Sequence, residues 1–174
     1  MSNDESALNL KSRIIQIVGP IDEKMFCKVD SELALLEGKS KRPVTFVINS
    51  FGGSVYDAIA IVARMRKSPC DIITEVYGQV MSAATIILAA GDKRRMDKLA
   101  FFMTHEGSYG AGGTHTQIKH YVQQAERENK MWCKTMAEFS GASAKFWETR
   151  GLNGMDCYLS AEQCLKIKVI DEVF

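Results

Sequence analysis

The sequence predicts an α/β domain built on a mostly parallel sheet. Apolar runs of strand length alternate along the chain with segments whose apolar residues recur at helical spacing. Turns rich in glycine or proline separate them. The run "VTFVINS" (44–50) is apolar enough to be buried on both faces, as strands of parallel sheets are. At 174 residues the chain suits one domain, and a domain of that size buries roughly 70% of its unfolded surface.

Residues 1–12, opening with the polar "MSNDESALNL", are expected to form a flexible arm, with 13–174 as a single domain. "RIIQIVG" reads as the first strand. A helix follows in "DEKMFCKVDSELALLEG", with Met25, Val29, Leu33 and Leu36 on one face and a stop at Gly38. After the turn "KSKRP" come the strand "VTFVINS" and the punctuating "FGG". Ser54 is placed to cap a helix over "VYDAIAIVARMRK", which Pro69 blocks. "DIITEVYG" is a third strand, and Ser82 opens a short apolar helix that ends by Gly91. "AFFMTH" is a further strand ending on His105. The glycine-rich "GSYGAGG" leads into the longest helix, from about Thr114 to Gly141, with apolar residues at 118, 121, 122, 125, 132, 136 and 139 and a solvent-facing "ERENK". A short helix near 143–149, a loop, the capping box Ser160–Gln163 and a final strand "VIDEVF" complete the order.

A net charge of +1 with scattered basic residues gives no electrostatic reason to expect nucleic acid or an anionic membrane as partner. No apolar run approaches the length of a membrane span. Five cysteines, an odd number without a C-x-x-C pair, read as reduced thiols and point to a cytoplasmic location. His105, His115 and His120 lack cysteine partners at zinc-ligand spacing, so no metal site is expected.

Chemistry in such domains gathers where strands end and helices begin, because unpaired N–H groups point outward there. In "GQVMSAATIILAAG" Ser82 is either a helix cap or a nucleophile. On that segment alone capping is the stronger reading, since serine is a preferred N-cap. "NSFGG" (49–53) lets Gly53 offer its N–H to an oxyanion and lets a peptide lie along a bare backbone at Gly52 and Phe51. Alone, the segment is equally a turn needing positive φ. His105 is the base candidate by elimination, because His115 and His120 fall on the long helix. Asp57, Asp92, Asp97, Asp156 and Asp171 are all open as its carboxylate partner. The G-x-S-x-G elbow, the P-loop and the Ser-x-x-Lys pattern are excluded.

Taken together, four segments resemble the proteolytic subunit of the Clp protease, ClpP. "VINSFGG" is similar to that family's I-N-S-P-G-G turn, "GQVMSAA" to its G-Q-A-A-S-M-G nucleophile segment and "FMTHEG" to its M-I-H-Q-P. "MDCYLSAEQCLKIKVIDEV" is similar to its closing D-R-F-L-S-A-x-E-A-x-x-Y-G-L-I-D. The likeness runs in one order from about Arg13 to the C-terminus. It implies the ClpP/crotonase-like spiral of β-β-α units with a long protruding handle helix starting near Thr114. It also implies a serine peptidase acting on peptides or unfolded proteins, with Ser82 as nucleophile, His105 as general base and Asp156 as orienting carboxylate. The N–H groups of Gly53 and Ala83 become the oxyanion hole, and Gly52 and Phe51 line the substrate groove. No metal or cofactor is implied. The implied assembly is a homo-oligomer of heptameric rings, stacked in pairs in the family.

Departures qualify the resemblance. Phe51 replaces a proline, Ala83 a methionine, and Met155 stands where the family often has an arginine that pairs across subunits. The N-terminal segment is short for the family's pore loops. Glu75 and Val47 fall on strands that in the family help form an apolar dock for an unfoldase ATPase, where a buried charge is costly. A divergent peptidase is therefore expected, one for which a Clp-type ATPase is a possible but doubtful partner. Two other classes compete with it: a non-catalytic ClpP-like ring subunit, and a crotonase-type acyl-CoA enzyme, which needs no serine–histidine pair.

Overall fold

The structure is a computed structural model describing residues 11–151 and 154–174. The expected N-terminal arm lies, up to residue 10, outside the described residues. Strands β1 (Ile14–Ile21), β2 (Val44–Gly53) and β3 (Ile72–Met81) form a parallel core, and β4 (Lys93–Met96) and β7 (Glu172–Val173) extend it in the order β1-β2-β3-β4-β7. Strand β5 (Phe101–Thr104) also pairs parallel to β3, and β6 (Cys157–Leu159) pairs antiparallel to β5.

Strand β3 serves two neighbours in succession. Ile73 to Val76 pair with β4, whereas Gln79 to Met81 pair with β5. Between those stretches the register with β2 shifts, from Ile48↔Val76 to Ser50↔Val80. The sheet thus turns a corner halfway along β3 and carries its C-terminal end, with the matching end of β2, toward a second layer.

Helix α1 (Glu23–Lys39) is capped by Asp22, which accepts from Met25 N–H, and buries Met25, Val29, Leu33 and Leu36 as the spacing predicts. Ser54 caps α2 (Val55–Arg66), which buries Ala58, Ile61, Val62 and Met65 and stops short of Pro69. Helix α3 (Ala84–Ala89) is buried at every position. Each buried valine, leucine, isoleucine or methionine among these contributes about 1.5–3 kcal/mol. Helix α4 (His115–Phe139) starts from a capping box between Thr114 and Gln117, and α6 (Ala161–Lys166) from the one between Ser160 and Gln163. Helix α5 (Ala144–Gly151) packs Trp147 against Phe102, Trp132 and Phe146.

The structure corrects the sequence reading in several places. "KRRM" is strand β4, although three of its residues are basic. Met96 anchors it in the core, and Arg94 and Arg95 pair with Asp171 and with Glu75 and Glu172. Part of the loop expected after α5 is β6, and the final strand shrinks to Glu172–Val173. The "ERENK" segment does not simply face solvent, because Glu128 is buried. The N-terminal half of α4 leaves Ile118, Tyr121 and Val122 exposed despite their helical spacing.

Arg64 ties α2 to α1 by donating to Asp30 and, with both terminal nitrogens, to Glu37. The Arg64 hydrogen bond holds the Glu37 carboxyl below its ordinary value. A depressed carboxyl contributes stability that is present above its unfolded pKa, near ~4.3, and is lost as pH falls through the folded value. Glu37→Gln is therefore expected to lower Tm at pH 7 by roughly 2–4 °C, for a loss of about 1 kcal/mol. The difference between wild type and variant should shrink in melts taken at progressively lower pH, as the Glu37 carboxyl becomes protonated in the folded protein too.

Candidate active site

The end of β2, the turn from β3 into α3 and the end of β5 converge at one point. Ser82 is not the N-cap that its sequence context suggests. Ala83 occupies that position, with no side-chain capping bond, and Ser82 precedes it at φ 52°. A non-glycine residue in the left-handed region is strained by roughly 1–3 kcal/mol and persists only where its surroundings hold it. Here its N–H donates to Met103 O at 2.9 Å, and its carbonyl accepts from Thr85 N and Thr85 Oγ1. The backbone is pinned from both sides, and the hydroxyl is left for another partner.

That partner is His105. Its Nε2 lies 2.8 Å from Ser82 Oγ. The ring is placed by register: Met81 pairs with Met103, so β5 ends alongside the Ser82 turn with His105 next in sequence. The antiparallel pairing Thr104↔Cys157 then puts Asp156 across from His105. Asp156 Oδ1 stands 3.8 Å from His105 Nδ1, an ion-pair distance but beyond hydrogen-bond reach. The other carboxylates are placed elsewhere. Asp92 accepts from Ile72 N, Asp97 from Leu99 N, and Asp171 binds Arg94, while Asp57 sits in the first turn of α2. His115 and His120 are exposed on α4.

Gly52 and Gly53 are required by close approach. A Cβ on Gly52, whose φ is +97°, would lie 2.7 Å from both Met81 O and Ser82 Cβ. One on Gly53 would lie 2.3 Å from Ile21 O. Gly52 N–H is used inside the turn, donating to Ser50 Oγ, whose own hydroxyl donates to Gly19 O. The cleft over Ser82 and His105, ≈ 440 Å³, is bordered by Phe51, Gly53, Tyr56, Met103 and Tyr109. Phe51 is more than half exposed on its rim.

Sequence reasoning missed one member of this cleft. Glu128 on α4 lies at the cleft wall, in a small adjoining pocket of ≈ 40 Å³ that Ser82 and His105 also line. Tyr56 and Gln124 donate to its Oε1 and Tyr109 to its Oε2. The Tyr56 hydrogen bond, with those of Gln124 and Tyr109, holds the carboxyl below its ordinary value against the opposing effect of burial. Burial, and then the bond to Glu128, pushes the Tyr109 hydroxyl up to about 12. The signal in the sequence was phase: position 128 lies four residues before Trp132, on the same face. Among the described residues no group of three or more His, Cys, Asp or Glu side chains could hold a metal ion.

A sequence profile of the Clp protease family matches residues 2–174, nearly the whole chain. The chain belongs to the Clp protease family. The ATP-dependent Clp protease proteolytic subunit 2 of Corynebacterium diphtheriae is 30% identical over 167 residues, covering 94% of this chain and 83% of its own length. The ATP-dependent Clp protease proteolytic subunit of Streptococcus pneumoniae is 31% identical over 169 residues, covering 94% and 85%. Membership in the Clp protease family makes the protein a serine endopeptidase and agrees with the α/β fold of parallel strands and covering helices. No helix among the described residues is long and apolar enough to cross a membrane.

The crowding at Gly52 gives a direct check. Gly52→Ala is expected to displace the Ser82 turn and to lower Tm by several degrees, for a loss of about 1–3 kcal/mol. Gly110→Ala, where an added Cβ meets nothing within 4 Å, should leave Tm unchanged in the same thermal melts.

Proposed function

We propose that Ser82, His105 and Asp156 act as the catalytic triad of this Clp protease, cleaving peptide bonds. The observation that carries this reading is the 2.8 Å contact between His105 Nε2 and a serine held at positive φ. Neither packing nor capping asks for a hydroxyl there.

In this reading the reaction is acyl transfer. His105 Nε2 takes the Ser82 proton as Oγ attacks the peptide carbonyl. The N–H groups of Gly53 and Ala83 receive the oxyanion, and each such donor is worth roughly 100–1,000-fold in rate. His105 then protonates the leaving amine, and water, activated by the same ring, hydrolyses the acyl-enzyme. Asp156 orients the ring and stabilises the imidazolium. Its resting separation of 3.8 Å must shorten to about 2.8 Å for that bond to form. The peptide lies in the groove past Phe51 and Gly52, pairing as an added strand.

The assembly follows the family: a homo-oligomeric ring, heptameric, with α4 as the handle between stacked rings. Ile118, Tyr121 and Val122 form an exposed apolar stripe on that helix, which a second ring would cover. Met155 brings no charge to the position where the family often pairs an arginine across subunits. The relatives' names, ATP-dependent protease subunits, point to a Clp-type ATPase as the general class of partner. The face carrying Glu75 is charged, because Arg95 joins Glu75 to Glu172, which also pairs with Lys93. An ATPase that docks through apolar side chains is accordingly expected to bind weakly, and stoichiometric capture of one in a pull-down would overturn that expectation. The cytoplasm suits this enzyme and its free cysteines.

Treatment with a fluorophosphonate probe, followed by peptide mapping, tests the triad. Labelling at Ser82 should disappear in Ser82→Ala and fall at least about 1,000-fold in rate in His105→Ala. Asp156→Asn should slow it less. An unlabelled wild-type oligomer would overturn the triad and favour the non-catalytic subunit. Sedimentation should show a ring-sized species, and a stable monomer would contradict the assembly.

A further inference from the structure

A negative charge stands beside the proposed nucleophile without a counter-ion. Glu128 is 7% exposed, and its hydrogen-bond donors (Tyr56, Tyr109 and Gln124) are all neutral. No lysine or arginine among the described residues pairs with it. Charges buried at this depth are ordinarily matched by an opposite one, because neutral donors satisfy the oxygens but do not cancel the charge. A carboxylate offers about four acceptor sites. Three are occupied here, two on Oε1 and one on Oε2, so Oε2 keeps room for a further donor.

The position of that site is informative. Glu128 borders both the open cleft and the small pocket, each of which Ser82 and His105 also line. A side chain entering there belongs to a residue close to the bond being cleaved. The rings of Tyr56 and Tyr109 stand on the same cleft wall, half exposed or more. They offer flat faces to an aliphatic stem or a guanidinium plane, while their hydroxyls aim the carboxylate.

We propose that Glu128 determines specificity by receiving the lysine or arginine side chain of the substrate residue on the acyl side of the scissile bond. This rests on Ser82 being the nucleophile. The substrate cation supplies the missing counter-charge, and the tyrosines are positioning residues that hold the carboxylate toward it. A long apolar side chain in the same place leaves that charge unmatched and displaces any water on Oε2, which disfavours it.

The test uses the assembled wild-type protein and peptidyl diphenyl phosphonates that differ only in the side chain next to phosphorus. One carries lysine and one leucine, with a small fluorophosphonate as reference. The lysine probe is expected to label Ser82 at least about tenfold faster than the leucine probe. In Glu128→Gln the ratio should fall to about one or below. In Tyr109→Phe, which keeps the carboxylate, it should stay above one. Leucine labelling as fast as lysine in the wild type would overturn the proposal while leaving the triad intact, and this reading needs no variant to fold. An unchanged ratio in folded Glu128→Gln would overturn it too. Failure of all three probes, the fluorophosphonate included, would instead overturn the Ser82 reading, and the proposal with it.

Discussion

The structure turns on the contact between the end of β2 and the turn from β3 into α3. No side chain fits there: a Cβ on Gly52 would come within 2.7 Å of Met81 O and Ser82 Cβ. Ser82 itself sits at φ 52°, a conformation that isolated serine avoids. Its strain is sustained by Met103 O on one side and Thr85 on the other, within a core where every residue of α3 is buried. A hydroxyl so fixed cannot turn back to cap the helix. It meets His105 Nε2 at the cleft instead.

The same constraint aligns its partners through strand pairing. Met103 O, which anchors Ser82 N–H, is part of β5, so the interaction that strains the serine also fixes the strand that carries His105. The antiparallel step from Thr104 to Cys157 brings Asp156 to the same end. Precision falls along this series. Ser82 is held by main chain on both sides, and His105 follows a strand joined to it directly. Asp156 precedes the first residue of a three-residue strand and is half exposed, at 3.8 Å from the ring. A contact so loosely held needs only a small shift of the strand end to close.

The parts of this architecture legible in the sequence were those set by local chemistry. Ser54 and Ser160 cap helices, and the spacing of Met25, Val29, Leu33 and Leu36 marked the buried face of α1; the caps at Asp22 and Thr114 were not read from the sequence. His105 could be chosen over His115 and His120 because a strand end and a helix leave different marks. Long-range effects were illegible. Nothing local in "KRRM" announces a strand, since β4 exists because Glu75, Asp171 and Glu172, two of them more than seventy residues away, absorb its arginines. The φ of Ser82 was hidden for the same reason. Serine is a good N-cap, and only the crowding by Gly52 and the pull of Met103 move the cap to Ala83.

Helix α4 shows why periodicity alone misleads where a protein has more than one surface to bury. Apolar residues recur at helical spacing on both sides of "ERENK", yet Trp132, Cys133 and Met136 enter the core whereas Ile118, Tyr121 and Val122 do not. The first group packs into this chain's own core, and the second stays exposed on its surface. Glu128 sits near the boundary between them, on the inward face where a core position would be apolar. A charge there weakens packing that an aliphatic residue would have served, and three neutral donors from α2, the 107–113 loop and α4 itself are arranged to hold it. A buried carboxylate held by three neutral donors, with one oxygen still open beside the cleft, is difficult to explain by stability alone, because an apolar isostere would serve the fold as well. Its rationale lies in what enters the cleft.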